Sequence, residues 1–273
     1  MKRIYPFIIM ACSWLFISCE DVIEVDLTTA EPKLVVEASI NWYKGTDGAV
    51  QEIRLSQTAG YFEESTPTID EAIVQVIGPN STLFTFESIG DGIYRCSDFV
   101  PELEGSYQLQ ILWNNQEYVA TERLVPVVSI ATIEQNAEGG FLGDQYEVRM
   151  RFLDPANTAN YYLTRFDVSS STLPDLSALA DTFFDGNYGF SSYSDEDLQP
   201  GDDLILQLYG ISAPYYDYMR KILAIAGSAG GSPFSTPPAT VRGNIRNTSD
   251  ASELILGYFR LSEVDRIEYT VSN

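Results

Sequence analysis

The chain has 273 residues, of which 45% are hydrophobic and 20% charged, and this is too apolar a composition for disorder over the whole length. Its 16 basic and 39 acidic residues give a net charge of -23, which excludes nucleic acid as a partner because phosphate recognition needs a basic surface. No histidine occurs anywhere, which removes the commonest general base, the commonest zinc ligand and every Ser-His or Cys-His nucleophile pair, and leaves carboxylate chemistry and calcium binding open.

The chain opens with Lys2 and Arg3, followed by an uncharged apolar run from Ile4 to Ile17. A basic start and a short apolar run predict a signal peptide over 1–18, and the run is shorter than the roughly 20 residues a membrane span needs. Leu15-Phe16-Ile17-Ser18-Cys19 ends it. A small residue directly before a cysteine at this point resembles the bacterial lipoprotein box, in which the thiol takes up a diacylglycerol, with palmitate-type acyl chains, and becomes the new N-terminus. Cys19 is therefore the expected lipidation site. Glu20 and Asp21 resemble the acidic signal that sends such proteins to the cell surface in the Bacteroidota. Cys12 falls inside the signal peptide, so Cys96 is the one thiol left, and no intramolecular disulfide is expected in the mature chain. Residues 19–31 read as the lipidated N-terminus and a short polar tether.

From Lys33 onward the pattern is of short strands. Leu34 to Ile40, Ile53 to Gln57, Ala72 to Ile77, Leu83 to Glu87 and Ile93 to Cys96 are separated by turn residues such as Gly78-Pro79-Asn80-Ser81 and Gly90-Asp91-Gly92. Tyr107, Leu109 and Ile111 alternate with Gln108 and Gln110, and Asn114-Asn115 then predicts a two-residue hairpin turn back into Tyr118 to Leu124. These features predict an N-terminal β-sandwich over 32–126.

A C-terminal β-rich domain is expected over 127–273. Tyr146, Val148, Met150 and Phe152 alternate with Glu147, Arg149 and Arg151, which is the signature of a half-buried strand. Further strands are expected at Tyr161 to Val168, Leu204 to Tyr209 and Leu254 to Leu261. Residues 169–202 show little periodicity and read as a long loop or irregular insertion, the kind of segment that often carries function. Tyr215, Met219, Ile222, Leu223 and Ala226 recur at helical spacing, with Ser212 placed to cap the start, Pro214 in the first turn and Gly227 at the end. This predicts one amphipathic helix over about 212–227 lying on the sheet. A small-residue and Pro-rich loop follows at 227–238. The fold class is thus mainly β, with two sandwich-like regions, the second carrying one helix.

No phosphate loop, metal-ligand spacing or nucleophile elbow is present in the sequence. Asp195, Asp197 and Asp202 lie in an acidic loop with Glu196 and Asp203 and are weak calcium candidates, beside the plainer reading of a solvated loop. No EF-hand spacing supports them, so no metal and no cofactor other than the covalent lipid is expected. Asp154-Pro155-Ala156-Asn157 reads as a turn.

Several short stretches, taken in order, resemble a family of Bacteroidota outer-membrane lipoproteins named only as a domain of unknown function, four-two-four-nine. They are Cys19-Glu20, Lys33 to Glu37, Ile53 to Ser56 with Gly60-Tyr61, Gly105-Ser106-Tyr107 with Leu109, Asp154-Pro155, Asn160-Tyr161-Tyr162, Pro238-Ala239 with Gly243-Asn244-Ile245, and Gly257-Tyr258-Phe259. Together they cover nearly the whole mature chain. The resemblance implies no catalytic residue. It implies company with TonB-dependent transporters, near which members are often encoded. The expected function is a non-catalytic binding or accessory subunit, lipid-anchored in the outer membrane with its body facing the cell surface. The alternatives are a surface glycan- or peptide-acting enzyme, which needs a cleft with two close carboxylates, and an adhesin or structural surface protein. The binding reading predicts an exposed apolar patch with a polar rim, in the 169–202 segment or the 227–238 loop.

Overall fold

The final strand, β15 (Leu256–Thr270), organises the molecule. The structure is a computed structural model describing residues 31–60, 63, 65–228 and 241–273; the expected signal peptide, Cys19 and residues 229–238 of the Pro-rich loop lie outside the described residues, as do Tyr61, Pro238 and Ala239 of the family resemblance. The strands before β15 are β1 (Leu34–Tyr43), β2 (Gln51–Gln57), β3 (Ile73–Ile77), β4 (Leu83–Gly90), β5 (Ile93–Cys96), β6 (Ser106–Trp113), β7 (Gln116–Val125), β8 (Ile130–Gly139), β9 (Gln145–Leu153), β10 (Tyr161–Val168), β11 (Asp175–Ala180), β12 (Tyr188–Ser194), β13 (Asp203–Ile211) and β14 (Arg246–Asn247). Among the described residues one α-helix, α1 (Ala213–Ser228), accompanies them.

Twelve strands make one sheet in the order β11-β10-β13-β15-β1-β2-β5-β4-β3-β6-β7-β14. β15 also pairs with β7, Leu261 opposite Leu124, so the path from β15 through β1 and on to β7 closes on itself. The first part of β15 runs parallel to β1, from Leu256 opposite Val35 to Val264 opposite Tyr43. Its second part runs antiparallel to β13, from Val264 opposite Tyr209 to Thr270 opposite Asp203. A separate sheet, β12-β9-β8, covers the face of that second part.

Alternation along the strands builds the interior. Val36, Ala38 and Ile40 of β1, Ile53 and Leu55 of β2, and Phe259 and Leu261 of β15 meet in a first core with Tyr94, Phe99 and Tyr107. The expected alternation of β9 sends Val148, Met150 and Phe152 into a second core with Phe166, Leu204, Leu206 and Leu208. The Phe152 and Tyr162 rings lie 4.7 Å apart there. Each such side chain removed from water stabilises the fold by about 1.5–3 kcal/mol before entropy is counted. A third cluster lies outside the large sheet, where Tyr215 and Met219 of α1 cover Leu163, Tyr209, Tyr258 and Val264. The Ser212 hydroxyl accepts from the Tyr215 amide at 3.3 Å, the expected N-cap.

The hairpin between β6 and β7 turns at Asn114 and Asn115, with φ of 50° and 62°, values that Asn tolerates better than most residues. Two expectations are corrected. The 169–202 segment contains two strands, β11 and β12, pairing with β10 and β9 respectively. Both are edge strands, so their half-exposed, Ser- and Gly-containing sequences never needed an apolar alternation. The last strand runs nine residues past Leu261, because Val264 packs against the α1 cluster and Ile267 and Tyr269 pack against the second core. The helix stands where it was expected, from Ala213 to Ser228.

Gly257 shows why the β1–β15 pairing is tight. Its φ is 94°, and a Cβ there would sit 1.9 Å from the Val36 carbonyl oxygen. A Cβ on Gly243 would in turn meet the Gly257 oxygen at 1.8 Å, so two glycines stack backbone on backbone. Asn244 then continues the pairing through its side chain, donating to the Phe259 oxygen at 2.8 Å and accepting from the Phe259 amide at 2.9 Å.

Gly257→Ala combines a forbidden φ with a backbone collision and is expected to lower unfolding free energy by about 2–4 kcal/mol, read from the urea midpoint. A pH dependence follows from the buried tyrosines. Burial, with Glu253 beside the ring, pushes the Tyr118 hydroxyl up to about 12 from its usual 10.0. The folded state therefore holds this proton after the unfolded chain has released it. Its contribution is complete below pH 10, declines above that, and is gone past about pH 12. Thermal melts at stepped pH should show the loss beginning near pH 10, with a shallower decline in Tyr118→Phe.

Candidate functional site

Three aspartates that are distant in sequence meet at the end of the C-terminal sandwich where β9 and β12 pair. Oxygen atoms of Asp154, Asp181 and Asp185 all lie within 4.8 Å of one another. Asp154 follows β9 directly and is 2% exposed. Asp181 opens the short helical turn after β11 and is also buried, whereas Asp185 is exposed.

Their hydrogen bonds explain how like charges are held together. The Tyr162 hydroxyl donates to Asp154 Oδ1 at 2.5 Å, and the Gly186 amide donates to Oδ2 at 3.3 Å. The Asn160 amide donates to Asp181 Oδ2 at 2.6 Å, and the Asn157 amide donates to Asp185 Oδ1 at 2.7 Å. Backbone donors thus tie the turn after Asp154 to the turn after Asp181, a fastening that compensates the buried charge. Burial first, and then the adjoining Asp154 and Asp181, push the Tyr162 hydroxyl well above its usual range, so it serves Asp154 as a fixed donor. The remaining carboxylate oxygens are of the kind a hard cation takes, although each aspartate already has a local structural role.

An apolar rim adjoins this cluster. Leu153 and Tyr188 are cross-strand partners, and Phe190 follows on the same face opposite Arg151. All three are about half exposed, Phe183 is almost wholly exposed, and Arg149 lies with its guanidinium carbon 4.6 Å from the Phe190 ring centre. Arg149 also pairs with Glu147 at 2.6 Å. Tyr188, Phe190 and Phe183 lie in the 169–202 segment, which the sequence marked for function. The triad was not foreseen there, because Asp154-Pro155 reads locally as a turn and its partners lie some thirty residues on.

Asp195, Asp197 and Asp202 do not form such a cluster among the described residues. Asp195 Oδ1 accepts from the Asp197 amide at 3.0 Å, and Asp202 Oδ2 accepts from the Gln199 amide at 2.9 Å. These are turn-forming contacts. Cys19 lies outside the described residues. Cys96 is buried, donates to Asp98 Oδ1 at 3.1 Å, and is pushed up to about 11, chiefly by burial, which keeps it an unreactive thiol.

Taken together, these features define a mainly β protein built from sandwich-like halves, with a fastened acidic cluster and an apolar rim at one end. The family model described as "Domain of unknown function (DUF4249)" matches residues 20–268, and the chain belongs to that family. No curated protein matches the sequence. Among solved structures, the chain is similar to a two fibronectin type-III domain segment from chicken tenascin, at 10% identity and a TM-score of 0.21, over 68% of this chain and 89% of that one. It is also similar to a DUF4785 family protein from Legionella pneumophila, at 12% identity and a TM-score of 0.25, over 64% of this chain and 50% of that one. Scores this low leave both without bearing on function.

Tyr162→Phe leaves a buried carboxylate oxygen without its hydroxyl donor and is expected to cost about 1–3 kcal/mol of stability, whereas Asp185→Asn at the exposed corner should change it by under about 0.5 kcal/mol. Paired urea titrations of the two variants check this; equal effects would refute the fastening role.

Proposed function

We propose that this chain is a non-catalytic binding or accessory lipoprotein, held in the outer membrane by acyl groups on Cys19 and facing the cell surface beside a TonB-dependent transporter or similar barrel. The observation that carries this reading is the apolar rim of Leu153, Phe183, Tyr188 and Phe190, flanked by Arg149 and by the Asp154 cluster. Exposed aromatic groups with a charged border are the composition of a protein-docking surface. A second exposed apolar pair, Phe141 and Leu142, caps the β8–β9 hairpin. An acyl tether supports the same reading, since it keeps a weakly binding body at high effective concentration near a membrane partner. The sequence of Leu15 to Asp21 supports the anchor and its surface-directing signal.

The test is an affinity pull-down of the tagged lipoprotein from mildly solubilised outer membranes, read by mass spectrometry. One stoichiometric barrel protein is expected. It should be lost with Cys19→Ala, which removes the anchor, and weakened about tenfold or more with the double substitution Tyr188→Asp and Phe190→Asp. Retention of the same partner by that double variant would overturn the docking surface, and recovery of no barrel at all would overturn the accessory role.

A further inference from the structure

β12 is a free edge. It pairs with β9 over seven residues, from Tyr188 opposite Leu153 to Ser194 opposite Glu147, without a register break. Among the described residues its backbone makes no hydrogen bond to any strand but β9. Alternate residues of such an edge turn their N–H and C=O groups outward. Natural edges are usually blunted by charges, prolines or bulges. β8, the opposite edge of the same sheet, carries Glu134 and Glu138 and two register breaks. β12 reads Tyr-Gly-Phe-Ser-Ser-Tyr-Ser and has no charge, no proline and no bulge.

The sheet that contains β12 is also one strand short of the sheet it covers. β12 stands over β10: the Ser191 and Thr164 hydroxyl oxygens lie 2.9 Å apart, and the Tyr193 ring stacks on Phe166 at 6.1 Å between centres. β8 stands over the end of β15, where the Tyr269 hydroxyl donates to Gln135 Oε1 at 2.8 Å. Four strands, β11-β10-β13-β15, therefore face three, and β11 extends beyond β12. The register sets Leu179 beside Tyr162 and Ser177 beside Thr164, so both sit on the β11 face that turns toward the smaller sheet. Each is only half buried. The helix α1 packs on the other face, with Leu176 and Ala178. The result is a shelf floored by β11 and walled by the unpaired edge of β12.

Both ends of the shelf carry negative charge. Asp185 is exposed just before β12, and Asp195, Glu196 and Asp197 are exposed just after it. Asp175 opens β11 at the latter end, opposite Phe166. Burial first, and then Asp195, Asp175, Asp202 and Asp197, hold the Tyr193 hydroxyl above its ordinary value. The arginines of the neighbouring strand, Arg149 and Arg151, are already paired with Glu147 and Glu134.

We propose that β12 receives an extended segment of a partner protein as an added strand, uncharged along β12 and flanked at both ends by Lys or Arg. Main-chain hydrogen bonds to the free edge supply the affinity. One set of alternate side chains lies on Leu179 and Ser177, and the other continues the exposed row of Tyr188 and Phe190, so small or apolar residues suit both. The flanking cations meet Asp185 at one end and Asp175 and Asp195 at the other, and a segment with acidic flanks is rejected. The inference rests on the docking surface proposed above and names how a partner is held there. Its test needs neither a barrel nor a membrane, so it stands or fails apart from the pull-down.

The probe is a fluorescein-labelled peptide, Lys-Lys-Val-Thr-Val-Thr-Val-Lys-Lys with an amidated C-terminus, titrated by anisotropy into the detergent-solubilised full chain. Saturable binding is expected, about tenfold or more weaker when the lysines of the peptide are replaced by Glu. Two further peptides are N-methylated at the Val amides or at the Thr amides. Only alternate amides of an added strand face β12, so one of these peptides should lose binding and the other keep it. Amide exchange, read by mass spectrometry, should slow in residues 188–194 and not in β8. Ser192→Lys places a charge on the edge and should weaken binding about tenfold or more while melting within a few degrees of the parent. Equal binding by the two N-methylated peptides, equal binding by the Glu-flanked peptide, or unchanged exchange in β12 would overturn the proposal. So would a dimer of the chain itself that protects β12 before any peptide is added. Because the peptide comparisons are read in the unsubstituted protein, a Ser192→Lys chain that fails to fold leaves them intact.

Discussion

Both halves of this fold depend on the pairing of one strand. β15 closes the N-terminal ring through β1 and β7, then crosses to become the neighbour of β13 in the C-terminal sandwich. Its inward residues serve two cores in turn: Phe259 and Leu261 in the first, Ile267 and Tyr269 against the second. The backbone approach at Gly257 and Gly243 sets where the strand enters, and the Asn244 side chain extends the ladder beyond the last true strand partner. Between the two cores, Glu263 accepts from the Val127 amide at 2.8 Å and pairs with Lys44 at 3.0 Å, and Asp265 accepts from the Ile130 amide at 2.7 Å. The segment linking β7 to β8 is thereby bound to the same strand. Contacts of this kind couple the halves, since β15 is a paired member of both.

Charge is distributed with a similar economy. Most acids lie on the surface, where they favour solubility and contribute little to stability. A few are drawn inward, and each of those is held by backbone donors: Asp154, Asp181, Glu263 and Asp265 all accept from amides of other segments. Buried carboxylates here act as joints between loops. Tyrosine plays the complementary part, with Tyr94, Tyr107, Tyr118 and Tyr162 placing rings in cores while their hydroxyls reach backbone carbonyls or carboxylates. With Cys96, the cysteine among the described residues, free, these polar ties supply the cross-connections between elements.

The strands with strict alternation were legible from sequence, and so were the Asn114–Asn115 hairpin and the capped helix, because their periodicity and turn chemistry agree. β11 and β12 were not legible. Leu176 and Ala178 are only half buried, and Gly189, Ser191 and Ser192 dilute the β signal, so pairing to an existing sheet edge determines their form. The Asp154 cluster was hidden because each member has a sufficient local reading as a turn residue, and only the crossing of two distant turns unites them. Arg260 did leave a trace, as a lone cation inside the apolar run from Leu254 to Leu261. Position alone gave no sign that it would be buried against the Tyr209 and Tyr215 rings.

The position of β15 in the chain bears on how the protein reaches this state. Every partner of β15 precedes it in sequence, and its contacts with β1 span more than two hundred residues. A chain emerging in order from a ribosome can form hairpins such as β6–β7 at once, but the large sheet lacks the strand that joins β1 and β7 to β13 until β15 is available. Long-range closure of this kind is slow relative to local pairing. The architecture therefore delays consolidation of the large sheet until its last strand has been made, so the hairpins formed earlier wait on a single late closure.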